Sequence, residues 1–349
     1  MRAICCPAFR RRSGWMSCGL AVSVLAALSA APALAGGSVC PSWNVTSGNW
    51  SVAGNWFLNL PPTASTNACL VNGTSGTPAT TTLDASQSIQ SLTVGASNTL
   101  NFNNGTQLSV AGPTIGNAGA INLNGSGSGT YLNLNGGNVT LSGGGTVTLA
   151  GGGNTLIYNS TNNHQILENV DNKILGVGNI GDGGGGYNMS LTNDASGIVN
   201  ANVNGGTLQL VLGGGVTNAG TLEATNGGQL QIYNAVNNAG GAISTDSNVN
   251  SKVLLEGGST IQGGTLNGNV QTAGNTTLDG STQGTLNNSA TFTVNNGNQA
   301  TVLGTINNTG TILLAGTGSG TYISVGGGWG STTLLQGAAR CQCRAAATH

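Results

Sequence analysis

The sequence predicts an all-β protein, a right-handed parallel β-helix with a Trp-rich cap at its N-terminal end. The stretch at residues 114–134 recurs without a gap at residues 305–325. Inside both copies apolar residues alternate with Asn, Ser, Thr or Gly, the two-residue period of a half-buried strand. A shorter repeat brings Asn218-Ala219-Gly220 back at residues 238–240. Repetition at fixed spacings is typical of stacked-repeat folds.

A coil of about twenty residues fits three short strands joined by turns. About 12 to 15 such coils, stacked at ~4.8 Å, would form a rod roughly 60–70 Å long. Right-handed coiling follows from the strong preference of parallel crossover connections. We expect Leu, Ile and Val to fill the core, and Asn at equivalent turn positions to stack into ladders. A globular β-sandwich is the competing fold, but it requires neither repeat spacing.

The charge distribution excludes one class of partner. Only 5% of the 349 residues are charged. Between residues 36 and 339 the only bases are Lys173 and Lys252, against nine acids. A body so poor in cations cannot neutralise a phosphate backbone, so we expect no nucleic-acid partner. Attachment to anionic lipid through a polybasic patch is excluded for the same reason.

Residues 1–35 predict a secretory signal peptide. A basic run at Arg10–Arg12 precedes an apolar segment at 20–28, and Ala33-Leu34-Ala35 matches a small-residue cleavage site. We therefore expect cleavage near Ala35 and a secreted, extracellular or bacterial cell-surface location. The alternative is an uncleaved membrane anchor, for which the apolar run is short. No later segment is apolar enough for a transmembrane helix in the mature chain.

The predicted cap spans residues 36–80. A solenoid needs its first coil covered, because an open end would be an adhesive edge. Trp50 and Trp56 are therefore expected to pack over that coil, with an aromatic carbohydrate platform as the alternative. Cys40 and Cys69 would form one disulfide in an oxidising compartment or remain two free thiols. Without His partners nearby they predict no metal site.

The cap and the first strands carry a family resemblance. The pattern is Trp50, Asn55-Trp56 and Pro61-Pro62, followed by strand-like segments at 82–85, 91–95 and 99–100. It resembles the start of large bacterial surface proteins and autotransporter-type passengers, which are built as parallel β-helices. Motifs similar to those that recur in such passengers lie at 168–181, 217–224 and 227–232.

The resemblance covers residues 48–328 and implies a structural or adhesive passenger of the bacterial outer membrane surface. Implied partners are glycans, other cells or copies of the same chain. The sequence departs from the family at two points. The usual Asp after the cap prolines is missing, and no C-terminal translocator barrel follows the repeats.

Residues 81–328 are predicted as β-helix repeats and residues 329–349 as an aberrant, disordered tail. The tail brings Arg and Cys into a region that lacked both, at Arg340-Cys341-Gln342-Cys343-Arg344. A shifted reading frame or a truncated gene near 329–337 would explain this change. The chain would then be a non-functional fragment of a longer adhesin. The alternatives are a genuine short tail or a Cys-x-Cys pair of metal ligands, although two cysteines alone cannot complete a tetrahedral site.

One cluster of titratable residues is a candidate catalytic site. It lies at 164–182 and comprises His164, Glu168, Asp171, Lys173 and Asp182. A polysaccharide hydrolase needs two carboxylates facing one bond, and a lyase needs acids for a cation together with a base. Glu168 and Asp171 are three residues apart, so they face opposite sides of an extended strand. We therefore predict a surface turn, no enzyme activity and no cofactor, with a carbohydrate-active enzyme as the alternative.

Overall fold

The computed structural model describes residues 40–71, 77–161, 164–181, 188–318, 320–326, 332–337 and 340–343. The predicted signal peptide, and Asp182 of the candidate cluster, lie outside these residues. Short parallel strands stack into a β-solenoid of about 11 turns. The predicted all-β parallel β-helix with a Trp cluster at its N-terminal end is confirmed. Among the described residues, no helix combines the length and hydropathy needed to cross a bilayer.

Each full coil contributes one strand to each of three faces, which are numbered in the order in which the chain visits them from Ala68 onward. Face 1 consists of Ala68–Leu70, Leu92–Val94, Thr114–Asn117, Val139–Ser142, Ile166–Asn169, Ser190–Asn193, Val216–Asn218, Ala235–Asn237, Thr260–Gln262, Thr276–Gly280, the first part of Gln299–Asn308, and Tyr322–Val325. Face 2 consists of Ser47–Asn49, Thr80–Leu83, Thr99–Phe102, Ala120–Asn124, Thr146–Ala150, Lys173–Gly176, Ile198–Ala201, Thr221–Ala224, Ala242–Thr245, Gly264–Leu266, Leu286–Asn288, the last part of Gln299–Asn308, and Leu334–Gln336.

Face 3 consists of Gln87–Ile89, Gln107–Val110, Thr130–Leu134, Thr155–Tyr158, Gly178–Gly181, Thr207–Val211, Gln229–Ile232, Lys252–Leu255, Asn269–Thr272, Thr291–Asn295, Thr311–Ala315 and Arg340–Cys343. In the part of the chain that the structure describes, 3-10 helices accompany the strands at Ala53–Asn55, Phe57–Asn59 and Gly152–Asn154. The strand Gln299–Asn308 runs through faces 1 and 2 without a break, and Gly304 at its bend has a φ of 67°.

The alternation seen in the sequence sets which side chains face inward. In Thr221–Ala224, for example, Leu222 and Ala224 are buried while Thr221 and Glu223 are half-buried on the outside. The inward residues of all three faces meet in one continuous apolar core from the cap to Ile312. Because stacked parallel strands bury this inner side completely, the core needs no covering helix.

The coils are less regular than predicted. The expected spacing of 20 residues occurs between Asn218 and Asn238 and between Asn288 and Asn308. On face 3, however, Val253 pairs with Val270 across a shorter coil, whereas Ile180 pairs with Leu210 across a much longer one. Longer turns at the corners take up the difference, so the chain completes about 11 turns rather than 12 to 15.

The two copies of the long sequence repeat occupy different faces. Asn117 ends a strand of face 1, and its counterpart Asn308 ends the part of Gln299–Asn308 that lies on face 2. The strands that follow lie on face 2 in the first copy and on face 3 in the second. The repeat therefore specifies a strand, a corner and a strand, and fits more than one corner of the solenoid.

Buried asparagines line the corner after face 1. Asn169, Asn193, Asn218 and Asn238 are fully buried on four consecutive coils. The Nδ2 atoms of the first three donate to the Oδ1 of the next asparagine, at 2.8, 2.8 and 2.7 Å in turn. These amides also donate to backbone carbonyls of their own corner, for example Asn193 to Gly197 at 3.0 Å. The predicted asparagine ladder thus pairs polar groups that the turn would otherwise leave buried and unsatisfied.

The glycine of the Asn218-Ala219-Gly220 corner has a steric cause. A Cβ on Gly220 would overlap the carbonyl oxygens of Asp194 and Gly197 on the preceding coil. The ladder ends at Gly264, where a Cβ would overlap the backbone oxygen of Asn238. A second buried pair forms later, where Asn288 Nδ2 donates to Asn308 Oδ1 at 2.7 Å at the corner after face 2.

Three tryptophans close the N-terminal end. Trp43, Trp50 and Trp56 are each at most 2% exposed, and Trp56 lies edge-on to the other two rings with centroids 5.1 and 4.8 Å apart. Trp56 Nε1 donates to the Trp50 carbonyl at 2.8 Å. Cys40 and Cys69 are joined by a disulfide in this structure, with Cα atoms 5.9 Å apart. The disulfide ties the cap to the first strand of face 1, which begins inside the predicted cap segment.

The described parts of the predicted tail continue the solenoid. Leu334–Gln336 pairs with Thr305–Asn307 on face 2, and Arg340–Cys343 pairs with Thr311–Leu314 on face 3. This differs from the disorder predicted for 329–349. Strand pairing uses backbone groups, so the open edge of the previous coil accepts a segment whose side chains lack the repeat pattern.

We predict that Asn288→Ala lowers the free energy of unfolding by about 1–3 kcal/mol, because Asn308 loses its buried partner. The neighbouring Asn287→Ala is the matched control, since Asn287 makes the same kind of bond, 3.1 Å from Asn307 Nδ2, on the exposed side. It should change stability by less than about 0.5 kcal/mol. Urea unfolding followed by circular dichroism measures both, and equal losses would contradict a structural role for the buried pair.

We also predict that Trp56→Ala destabilises the N-terminal coils by about 3–5 kcal/mol through loss of a fully buried ring. The adjacent Phe57 is 54% exposed, so Phe57→Ala should have little effect. Denaturant unfolding and proteolysis of the N-terminal coils report the difference. A Trp56→Ala protein as stable and as protease-resistant as Phe57→Ala would show that the Trp cluster is not the cap.

Candidate functional site

Face 1 carries the candidate site, a shallow groove formed by two columns of outward side chains on adjacent coils. One column contains Glu168, Thr192 and Thr217 in strand register, preceded by Thr140. It continues through Asn237 and Gln262. The second column lies two residues earlier on each strand and begins with Asn138, Ile166 and Ser190. Because neighbouring strands pair in register, each column runs parallel to the rod axis. The two columns are separate because successive outward residues on one strand are two positions apart.

The groove exists because the residues of its second column become small. After Ile166 and Ser190 this column passes through Gly215 and Ala235, which leave a hollow of about 300 Å³. Gly215 has a φ of 83°, and a Cβ on the neighbouring Gly214 would overlap the Ser190 hydroxyl. Glycine is thus required there by the backbone, and the hollow follows from it.

A second hollow of about 200 Å³ continues the groove toward the N-terminal end. It shares Ile166 and Thr192 with the first and is also lined by Asn138, Thr140 and Glu168. Glu168 Oε2 accepts a hydrogen bond of 2.8 Å from the Thr140 hydroxyl. Of the predicted cluster members that the structure describes, Glu168 is the one that lies in the groove.

The structure does not assemble the predicted cluster into one site. Asp171 lies in the corner after face 1, where its Oδ1 accepts hydrogen bonds from the backbone of Gly143 and Gly144 at 2.8 and 2.9 Å. His164 is exposed with a φ of 51°, and its Nε2 contacts Asn188 Nδ2 at 3.3 Å. Lys173 is exposed on face 2. In the described part of the chain, no three His, Cys, Asp or Glu residues are grouped as a metal site.

One carboxylate outside the predicted cluster lies close enough to respond to Glu168. Burial raises the pKa of Asp194, and the negative charge of Glu168 raises it further. Glu168 is the carboxylate that lines this end of the groove, and its negative charge makes the groove a poor place for an anionic ligand.

A separate hollow of about 320 Å³ lies toward face 3. It is lined by amide side chains, among them Gln229, Asn250 and Asn269, together with Lys252. Its cation gives it the opposite electrostatic character to the face 1 groove.

Sequence reasoning missed the groove residues Ser190, Thr192 and Thr217. Each belongs to an ordinary alternating strand, so no local motif distinguishes it. The available signal was glycine and alanine at outward strand positions, but coils of unequal length hide which outward residues are neighbours.

No protein-family model, curated protein or solved structure matches this chain.

We predict that Asp171→Ala lowers the unfolding free energy by about 1 kcal/mol, because two backbone N–H groups of the preceding coil lose their acceptor. Asp171→Asn keeps an oxygen acceptor in the same position and should lose less than half as much. Thermal unfolding by circular dichroism measures both variants. Equal stability of Asp171→Ala and the parent protein would contradict the structural role and reopen a chemical one.

Proposed function

We propose that this chain is a secreted or cell-surface passenger-like protein, a stiff rod that makes many weak contacts with glycans, cells or copies of itself. The observation that carries the proposal is the in-register repetition of outward hydroxyl and amide groups on successive coils. A ligand that binds one coil meets similar groups on the next coil, so weak contacts add along the rod.

The solenoid supplies the stiffness that such contacts need. Its strands are parallel from coil to coil, and one apolar core runs beneath them. A preformed surface loses little conformational entropy on binding, which favours affinity from small individual contacts. The resemblance of residues 48–328 to autotransporter-type passengers supports the same role.

A carbohydrate-active enzyme centred on 164–182 is the second candidate, and the position of Glu168 in the groove favours it. The non-enzymatic role is preferred because Asp171 contacts a different set of residues, the backbone of Gly143 and Gly144. Glu168 also contributes a single carboxylate to the groove lining. Hydrolysis requires two carboxyl groups on either side of one glycosidic bond.

The test is a comparison of adhesion at low and high display density. Beads coated with the chain are mixed with bacterial cells, epithelial cells, glycan-coated plates and identical beads. Multivalent contact predicts that retention on at least one of these rises about 100-fold or more over that of the soluble chain. Beads coated at the same density with reduced, denatured chain are the control. Retention no greater than that control on all four surfaces would contradict the proposed function.

A further inference from the structure

We propose that the face 1 groove binds an uncharged glycan chain lying along the axis of the rod. This inference rests on the proposed surface function and names the ligand class and the site. The groove is defined by the residues that line its two hollows, from Asn138 on one coil to Gln262 five coils later.

The shape of the groove requires an extended ligand. The two hollows share Ile166 and Thr192, so they form one continuous depression. Six neighbouring strands at ~4.8 Å spacing make it roughly 24 Å long. Ala235 on its floor is exposed to solvent, so the groove can admit a polymer from the side as well as an oligomer.

The lining offers hydrogen-bonding groups that the protein itself does not use. Among the residues the structure describes, the side chains of Ser190, Thr192 and Thr217 make no hydrogen bond. The side-chain amide of Gln262 makes none either. Hydroxyl and amide groups both donate and accept, as sugar hydroxyls do. This array of free groups contrasts with the corner asparagines, whose amides are paired from coil to coil.

Two apolar groups complete the match. Ile166 lies between the two hollows and Ala235 forms part of the floor of the larger one. Binding sites for small molecules combine such apolar contact area with a few placed polar groups. The C–H faces of a sugar ring would pack on Ile166 and Ala235 while its hydroxyls reach the flanking threonines.

The charge of the groove selects among glycans. Among the described residues of its lining, Glu168 is the one ionisable group, and Asp194 lies close to Glu168. An anionic polysaccharide would meet only negative charge here and would be repelled. An uncharged glycan meets hydroxyl and amide groups along most of the length. Lys252 lines the other hollow, toward face 3, so an acidic sugar would be expected there instead.

Affinity electrophoresis of the full chain in gels containing a glucan, a mannan, a galactan or polygalacturonate tests the proposal. We expect at least one neutral polysaccharide to retard the parent protein. Ala235→Phe places a ring in the hollow from an exposed position and should weaken that binding about tenfold or more, which corresponds to one lost subsite. Ala242→Phe makes the same change on face 2 of the same coil and should bind as the parent does.

A double variant, Thr192→Val with Thr217→Val, removes two hydroxyls without adding volume. It tests the groove independently if Ala235→Phe does not fold. It should also weaken binding, whereas Thr221→Val on face 2 should not. Equal retardation of all variants would overturn the groove assignment. Retardation by polygalacturonate alone, abolished in Lys252→Gln, would overturn the ligand class.

If no neutral polysaccharide retards the parent protein, the inference fails. Density-dependent adhesion of coated beads to cells or to each other would still stand as support for the proposed function, so the two failures are distinguishable.

Discussion

The structure depends on one constraint: each coil must satisfy the polar groups of the coil before it. Strand backbones do this on the three faces, and buried asparagines do it at the corner after face 1. A corner turns the chain away from its neighbours, so its carbonyls and N–H groups would otherwise be buried without partners. Asparagine carries both a donor and an acceptor on a short side chain, which lets one residue type bond in both directions along the stack.

The same constraint leaves several outward side chains of face 1 without a structural role. Leu222 and Val236 fill the core, Asn218 and Asn238 hold the corners, and the backbone holds the faces. Outward residues such as Thr192 and Thr217 therefore remain available for ligands without cost to the fold. A solenoid can in this way keep its corners fixed while its lateral groove takes whatever residues a ligand requires.

The sequence predicted the class of fold well because inward alternation and corner asparagines are local patterns. It predicted coil length poorly, since nothing near Val253 signals that the next coil is short and nothing near Ile180 signals that the next is long. The groove could not be predicted for that reason, because Ser190 and Ala235 are two coils apart and only the strand register places them in the same column. The candidate residues Glu168 and Asp171 were close in sequence, yet the corner between them gives them different partners.

Cysteine trapping can test the strand register on which the faces of the solenoid depend. Asn287 and Asn307 are parallel neighbours on face 2, at a strand spacing within the Cα range of a disulfide. After Asn287→Cys and Asn307→Cys and mild oxidation, peptide mass spectrometry should find these two residues joined. Thr217→Cys with Asn237→Cys, neighbours on face 1, provides the positive control. If the control pair cross-links and residues 287 and 307 do not, the register is contradicted. That register places the strand ending at Asn308 on face 2, whereas its counterpart in the first repeat copy lies on face 1.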